Sequence, residues 1–248
     1  MPARPGAGRS LVRTGTVTLA LACALALAGP PVGISASEGD TIGGVPVSGN
    51  QALAAAVPEV DLPAGVVWTA DGRVLWERNA TAERAMASTT KIMTALVVLD
   101  SANLDDVVTV SERAADVKEA GIDVVAGQKL TVRQLLEAML VRSANDAAFA
   151  LAEHTAGSVE AFVSRMNEKA AALGLAETAF ANPHGLDAQG HHTSARDLAT
   201  LARLAMSDER FAEIVAMSAV TVAGGDVVKE YDNSNELLDT YEGATGVK

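Results

Sequence analysis

Two short apolar runs near the start of the chain are separated by turn-forming residues. Residues 66–68 and 74–76 flank Asp71-Gly72, and an Asp-Gly pair between apolar runs is a strong short-range signal for a β-hairpin. Residues 88–99 follow, and from position 92 onward they leave almost no polar face for a helix to turn toward water. We therefore predict a hairpin followed by a helix that is buried on all sides.

Helical patterns dominate the middle of the chain. Thr131 and Gln134 form a capping box, Thr-x-x-Gln, directly before a set of apolar residues at helical spacing. Asn182-Pro183-His184-Gly185 interrupts the helical series and predicts a loop. The 3.6-residue apolar period predicts further helices at residues 147–154, 158–173 and 194–206.

Strand patterns lie on both sides of this helical region. Apolar residues at 220–222 and 227–228 surround Gly224-Gly225 and predict a second hairpin, and residues 247–248 are expected to begin one more strand. Strands at both ends with helices between them predict an α/β fold of the α+β type. We expect a mostly antiparallel sheet closed by the two ends of the chain, a helix buried against it and an inserted helical subdomain.

The first 60 residues have a different character. Three arginines precede an apolar run at residues 17–28, which is about a dozen residues and too short to span a membrane that needs roughly 20. This pattern predicts a signal peptide at 1–28 and an exported protein, with cleavage after Ala28 or after Ala36. The single cysteine, Cys23, lies inside the run, so the mature protein is expected to have no thiol. Residues 29–60 are rich in Gly, Pro, Ser and Ala and predict a flexible linker.

Composition and charge narrow the classes of function. The chain has 248 residues, 49% of them hydrophobic, and a formal net charge of -12 at pH 7. This charge argues against nucleic acid as a partner, because binding phosphates requires clustered Lys and Arg. His184, His191 and His192 lie close together, but no carboxylate or cysteine accompanies them at a familiar ligand spacing, so we expect no metal site and no cofactor.

The strongest candidate for chemistry is Ser88-Thr89-Thr90-Lys91. Residues at i and i+3 lie on one face of a helix, so the two functional side chains can touch. Serine becomes a nucleophile when a base removes its proton, and lysine can act as that base when burial moves its pKa from about 10.4 to near 7, at a cost of roughly 4 to 5 kcal/mol. The alternative is that Ser88 is an ordinary helix cap and Lys91 extends to the surface. Burial of Lys91 separates the two interpretations.

A second polar triplet, Ser143-Ala144-Asn145, lies between two predicted helices, where a hydroxyl and an amide can project together into a cleft. Two further Ser-x-Asn copies are set aside by position. Ser48-Gly49-Asn50 lies in the predicted linker, and Ser101-Ala102-Asn103 is about 20 Å from Ser88 along the same helix.

The ordered motifs resemble those of penicillin-interacting active-serine enzymes, in which Ser-x-x-Lys, Ser-x-Asn and Lys-Thr-Gly follow one another. More narrowly, the chain resembles the D-alanyl-D-alanine carboxypeptidases of the low-molecular-weight penicillin-binding protein type. The resemblance runs from about residue 65 to the end, and domain assignment on this basis makes 61–248 the catalytic domain. The blocks that carry it are 87–95, 140–147, 182–187, 235–238 and 246–248.

The resemblance implies a β-lactamase/transpeptidase-like fold and a role for each residue. Ser88 is implied as the nucleophile on peptidoglycan stem peptides ending in D-Ala-D-Ala, and Lys91 as the general base. Ser143 is implied to relay a proton to the leaving amine. Asn145 is implied to orient Lys91 and the substrate, and Lys248 to bind the terminal carboxylate and to help keep Lys91 neutral. β-Lactam antibiotics are the expected covalent inhibitors, and the expected location is the outer face of the cytoplasmic membrane, the cell wall or the periplasm.

The sequence stops at the lysine of the third motif, without the Thr and Gly that follow it in the family. We therefore expect an incomplete catalytic domain whose C-terminal strands, and any membrane attachment through a C-terminal segment, lie beyond residue 248. Three other functions remain open. They are a D,D-endopeptidase of the same family, a serine β-lactamase, and a non-catalytic peptidoglycan-binding module. The β-lactamase is disfavoured because no Glu-x-x-Leu-Asn follows Ser143.

Overall fold

A computed structural model describes residues 39–47, 57, 61–224 and 227–248, without the side chains of residues 224 and 227. The predicted signal peptide and both cleavage sites, as well as most of the predicted linker, lie outside these residues. The strands are β1 Asp40–Ile42, β2 Val45–Pro46, β3 Gly65–Trp68, β4 Val74–Arg78, β5 Val107–Thr109, β6 Lys129–Thr131, β7 Ala219–Gly224 and β8 Val227–Asp232. The helices are α1 Lys91–Ser101, α2 Glu112–Ala115, α3 Val132–Glu137, α4 Asn145–Ala156, α5 Val159–Ala172, α6 Ala195–Ala205, α7 Glu209–Val215 and α8 Leu237–Thr240.

The predicted first hairpin is formed by β3 and β4, which pair in antiparallel fashion. Its turn is longer than the two residues that Asp-Gly predicted. Thr69 N–H donates to the carbonyl of Arg73 at 2.9 Å, which leaves residues 70–72 in the loop. Gly72 has a φ of +87°, so the loop ends on a left-handed residue, as three-residue hairpin loops commonly do. Asp-Gly therefore gave the position of the turn correctly and its length incorrectly.

Strands β1 and β2 correct the linker prediction, because residues 40–46 belong to the folded sheet. The sheet has the order β2-β1-β4-β3, and all its neighbouring strands are antiparallel. Asp40 and Arg78, both buried, form an ion pair at 2.6 Å that joins β1 to β4. The run Asp40-Thr41-Ile42 is too short to show an alternating pattern, so composition alone classed it with its Gly-rich surroundings.

Helix α1 is buried all round, as the apolar run predicted. Its first nine residues, 91–99, are all buried, and their neighbours come from α4, α5 and α6. A helix with no polar face needs cover on every side, and these three helices, with the π-helical turn at Ala138–Arg142, supply much of it. The first residue of this helix is Lys91, which is fully buried with 0% of its surface exposed.

Side-chain caps begin three helices of the middle section, one of them at the predicted capping box. Thr131 and Gln134 form both hydrogen bonds of a capping box at the start of α3. Ser158 caps α5 and Ser194 caps α6, each by accepting a backbone N–H from the residue three positions later. After α3 the chain continues as one turn of π-helix, Ala138–Arg142, a feature that the apolar period did not distinguish from α-helix.

The second predicted hairpin is present, since β7 and β8 pair with Gly224 opposite Val227. Its turn residues, 225 and 226, lie outside the described residues. Two expectations for this end of the chain are wrong. β7 and β8 form a separate two-stranded sheet instead of joining β1–β4, and residues 247–248 are not in a strand. Within the described ranges, no helix is long and apolar enough to cross a bilayer.

Candidate active site

Ser88 lies in a single turn of 3-10 helix, Ala87–Thr90, that leads directly into α1. Its side chain is half-buried, while the side chain of Lys91 one turn later points into the protein. The residue before Ser88, Ala87, has a φ of +45°, which is uncommon for a residue with a Cβ. The chain therefore enters the helix through a sharp left-handed bend that presents Ser88 at the end of a buried helix.

The amine of Lys91 has three hydrogen-bond partners. It lies 3.1 Å from the hydroxyl oxygen of Ser88, 2.6 Å from Oδ1 of Asn145 and 2.6 Å from the backbone carbonyl oxygen of His184. Two of these three partners, the carbonyl and amide oxygens, can only accept a hydrogen bond. A neutral amine that donates its two N–H groups to them directs its lone pair at the Ser88 hydroxyl. In this arrangement a neutral Lys91 can accept the proton of the Ser88 hydroxyl.

Burial and a nearby cation lower the pKa of Lys91. Loss of hydration, the largest cause, and the positive charge of Lys248 together lower the pKa of Lys91 from 10.5 to about 7, against an opposing effect of the Asp146 carboxylate. The alternative in which Lys91 extends to the surface is therefore wrong. Lys248 has its own pKa lowered to about 8 by burial, and its Nζ donates to the carbonyl of Leu140 at 3.2 Å.

Asn145 is fixed by its own backbone surroundings. Its Nδ2 donates to the carbonyl of Glu119 at 2.8 Å, and its backbone N–H donates to the carbonyl of Ala120 at 2.9 Å. These bonds determine which end of the amide faces Lys91, since the amide nitrogen is occupied elsewhere. The next residue, Asp146, is buried, and its carboxylate accepts the backbone N–H groups of Ile122 and Val124, which closes the same loop.

Ser143 lies between the π-helical turn and α4, two residues before Asn145. It has a φ of +70° and a half-buried side chain. Of the five residues that the sequence proposed for the site, the structure joins Ser88, Lys91 and Asn145 by hydrogen bonds, and it couples Lys248 to Lys91 through charge. Ser143 lies near Asn145 because the two residues belong to the same short break between helices.

The loop that contains His184 contributes more than the sequence indicated. Besides the His184 carbonyl that faces Lys91, the Pro183 carbonyl accepts from the Thr94 hydroxyl at 2.6 Å. Asn182 Oδ1 accepts the backbone N–H groups of His184 and Gly185, which shapes the turn. The turn chemistry was visible in the sequence as Asn-Pro-x-Gly, but sequence spacing does not show which element a loop carbonyl will face.

The three clustered histidines have protein environments of their own. Burial, together with the positive charges of Lys91 and His191, lowers the pKa of His184 from 6.5 to about 4. His191 uses both ring nitrogens in hydrogen bonds to the protein. In the part of the chain that the structure describes, no group of three or more His, Cys, Asp or Glu side chains is arranged to hold a metal ion.

Comparison with known proteins gives the family. The sequence model of peptidase family S11, described as D-alanyl-D-alanine carboxypeptidase, matches residues 52–248. Bacillus subtilis D-alanyl-D-alanine carboxypeptidase DacF is 36% identical over 192 residues, which cover 71% of this chain and 47% of that protein. A D-alanyl-D-alanine carboxypeptidase of Streptomyces sp. is 36% identical over 195 residues, which cover 71% of this chain and 67% of that protein. The chain thus spans less than half of the Bacillus relative.

Solved structures confirm the expected fold class of antiparallel sheet, buried serine helix and helical subdomain. A serine-to-alanine mutant of the Streptomyces K15 DD-transpeptidase matches with a TM-score of 0.73 and 33% identity over 77% of this chain and 81% of that one. A D-alanyl-D-alanine carboxypeptidase from Mycobacterium tuberculosis matches with a TM-score of 0.72 and 35% identity over 77% of this chain and 74% of that one. The family model, the relatives and the fold agree, and the chain belongs to the D-alanyl-D-alanine carboxypeptidase family of serine peptidases.

Proposed function

We propose that the protein is a serine-type D-Ala-D-Ala carboxypeptidase that removes the terminal D-alanine of peptidoglycan stem peptides. The observation that carries this proposal is the environment of Lys91. Its amine contacts the Ser88 hydroxyl at 3.1 Å inside a buried site, and its pKa is lowered to about 7, so it accepts a proton near neutral pH. An ordinary surface lysine would remain protonated and could not activate the serine.

In the proposed reaction the oxygen of Ser88 attacks the carbonyl carbon between the two terminal D-alanines, and its proton passes to Nζ of Lys91. The C–N bond then breaks as the departing amine takes up a proton through the hydroxyl of Ser143. D-Alanine leaves, and an ester joins the remaining peptide to Ser88. Water hydrolyses this ester, which returns Ser88 to its hydroxyl form. A β-lactam ring is opened by the same attack and acylates Ser88.

Asn145 and Lys248 are proposed to bind the substrate. Asn145 is rigidly held and presents its amide beside Lys91, which suits contact with the peptide backbone. Lys248 is cationic near neutral pH and lies close enough to Lys91 to influence its charge, which suits it to bind a terminal carboxylate within the same cleft. These roles follow the family motif residue by residue.

The cellular setting follows from the substrate, since cross-linked peptidoglycan lies outside the cytoplasmic membrane. We propose export directed by residues 1–28, followed by action in the cell wall or periplasm, and 61–248 as part of the catalytic domain. The N-terminal boundary of that domain moves to about residue 39, because β1 and β2 contribute to its sheet.

Transfer to an amine is a second candidate. The fold matches a Streptomyces DD-transpeptidase, and the same acyl-enzyme can be attacked by an amine instead of water. A D,D-endopeptidase uses the same residues on a cross-linked substrate. The partition between water and amine depends on access to the ester after D-alanine has left.

The test is intact-mass measurement after incubation with benzylpenicillin, followed by peptide mapping. We expect one penicilloyl adduct on Ser88 in the wild type and none in the Ser88→Ala variant. Release of D-alanine from a synthetic peptide ending in D-Ala-D-Ala then separates a carboxypeptidase from a binding module, and addition of glycine as acceptor detects transfer. A wild-type protein that forms no adduct would exclude the proposed chemistry.

A further inference from the structure

His191 is a buried histidine in direct contact with the turn that carries the nucleophile. Only 8% of its surface is exposed. Its Nε2 lies 2.9 Å from the hydroxyl oxygen of Thr90, two residues after Ser88, and its Nδ1 accepts the backbone N–H of Ala181 at 3.0 Å. The ring of Phe180 packs against it edge-on, with 6.1 Å between the ring centroids. The family motifs assign this histidine no role.

The bonds around the ring determine the position of its proton. Because Nδ1 accepts from a backbone N–H, it carries no hydrogen, so a neutral His191 has its hydrogen on Nε2 and donates to Thr90. The Thr90 hydroxyl in turn donates to the carbonyl oxygen of Ala87 at 2.8 Å. All donors in this chain of hydrogen bonds point the same way, from the backbone of Ala181 to the peptide bond before the nucleophile.

That peptide bond is the one that acyl transfer requires. Its carbonyl belongs to Ala87 and its N–H to Ser88, and the N–H of an active serine is a donor to the oxyanion that forms on the attacked carbonyl. A hydrogen bond to the oxygen of a peptide group polarises its N–H and fixes the plane of the group. Ala87 has a φ of +45°, a conformation that the surroundings must hold in place.

We propose that His191 is a positioning residue for catalysis, which acts through the Thr90 hydroxyl to orient and polarise the Ala87–Ser88 peptide group as an oxyanion donor. The inference deepens the proposed function and rests on it. It does not require His191 to touch the substrate, since the ring reaches the turn through its hydrogen bond to Thr90.

The arrangement also makes acylation sensitive to the charge of His191. A second proton on Nδ1 would face the N–H of Ala181, two donors in contact, so the ring could not keep its place. Burial lowers the pKa of His191 from 6.5. Among its charged neighbours, Asp187 opposes that shift and His192 adds to it, while His184 has a pKa of about 4 and is neutral over most of the relevant range.

The test compares the pH dependence of benzylpenicillin acylation in the wild type, His191→Gln and His192→Gln. His192 is the matched control, since it is half-buried and lies 3.7 Å from Glu83 at the surface. We expect His191→Gln to acylate about 10- to 100-fold more slowly, because losing an oxyanion donor outright costs ~100- to 1,000-fold. His192→Gln should match the wild type.

The slope of the pH profile separates positioning from a merely structural role. At pH values below the lowered pKa of His191 the wild-type rate should fall by up to two powers of ten per pH unit, one for Lys91 and one for His191, whereas His191→Gln should fall by about one. Equal slopes in the two proteins would overturn the inference, even if the variant were slower.

Variants of Thr90 provide a second test in case His191→Gln does not fold. Thr90→Val removes the hydroxyl while keeping the shape, and Thr90→Ser restores it. We expect the valine variant to lose both rate and steep slope, and the serine variant to recover them. A valine variant with wild-type rate and slope would overturn the inference. Absence of any Ser88 adduct in the wild type would instead contradict the proposed function, so the two failures are distinguishable.

Discussion

A negative charge placed beside Lys91 should abolish its ability to act as a base near neutral pH. Asn145→Asp puts a carboxylate at the position of an oxygen that now lies 2.6 Å from the Lys91 amine. At an effective dielectric constant of about 20, opposite charges this close attract by about 6 kcal/mol, from which desolvation of the new carboxylate subtracts several kcal/mol. The remainder favours protonated Lys91 enough to lower acylation at neutral pH by about 100-fold or more, at 1.36 kcal/mol for each factor of ten.

The assay is the second-order rate of benzylpenicillin acylation from about pH 5 to pH 10, with unfolding followed at each pH. The wild-type rate should rise through about 7, the pKa of Lys91. In Asn145→Asp the midpoint should move to much higher pH, so the rate is regained in alkali. Asn145→Ala is the matched control, because it removes the same amide without adding charge and should lower the rate while leaving the midpoint near that of the wild type.

The midpoint of the pH profile is the decisive quantity, because any damage to the site lowers the rate of acylation. If Asn145→Asp acylated slowly but with an unchanged midpoint, Lys91 would not be the group whose deprotonation activates Ser88. A midpoint that moved equally in the alanine variant would assign the effect to lost packing instead of charge.

Three further predictions follow from the same structure. Gly185→Ala should lose acylation and unfold at lower temperature, because its Cβ would lie 2.0 Å from a backbone carbonyl oxygen, whereas Gly190→Ala, with nothing within 4 Å, should lose only about 1 to 2 kcal/mol from its left-handed backbone. Asp40→Asn should lower the free energy of unfolding by about 3 to 5 kcal/mol, because it breaks a buried ion pair with Arg78. If urea denaturation showed almost no change in this free energy, residues 40–46 would not be part of the folded sheet. The free energy of unfolding should rise with pH between about 7 and 10.5, by about 1.4 kcal/mol per pH unit for Lys91, because the unfolded chain holds a proton there that the folded chain has released; Lys91→Met should lose that part of the slope.

Those parts of the site that depend on local spacing were predictable from the sequence. The i and i+3 relation of Ser88 and Lys91 follows from helix geometry, and the apolar residues after them predicted the burial that lowers the lysine pKa. Asn145 was selected because, of the other two Ser-x-Asn copies, one lies in the predicted linker and one lies about 20 Å from Ser88 along the helix. The capping box of α3 was likewise visible, because a cap is a contact between residues three positions apart.

Contacts between distant segments were not predictable in the same way. The His184 carbonyl that completes the surroundings of Lys91 is a backbone atom, and every residue type carries one. Strand β1 is held by pairing with β4 and by the Asp40–Arg78 ion pair across 38 positions, which no window of a few residues contains. The separation of β7 and β8 from the larger sheet is a matter of topology, and hairpin signals specify only which strands pair locally.

The all-apolar surface of helix α1 links the reactivity of the serine to the cooperativity of folding. A segment with nine successive buried residues has no stable existence in water on its own, and the helices that cover it, α4, α5 and α6, lie between Asn145 and Ala205, far from it along the chain. The dry surroundings that lower the lysine pKa therefore arise only when those parts have come together. If Ser88 is acylated as proposed, its labelling should count native molecules, and we expect a fluorescent β-lactam to report folding yield directly.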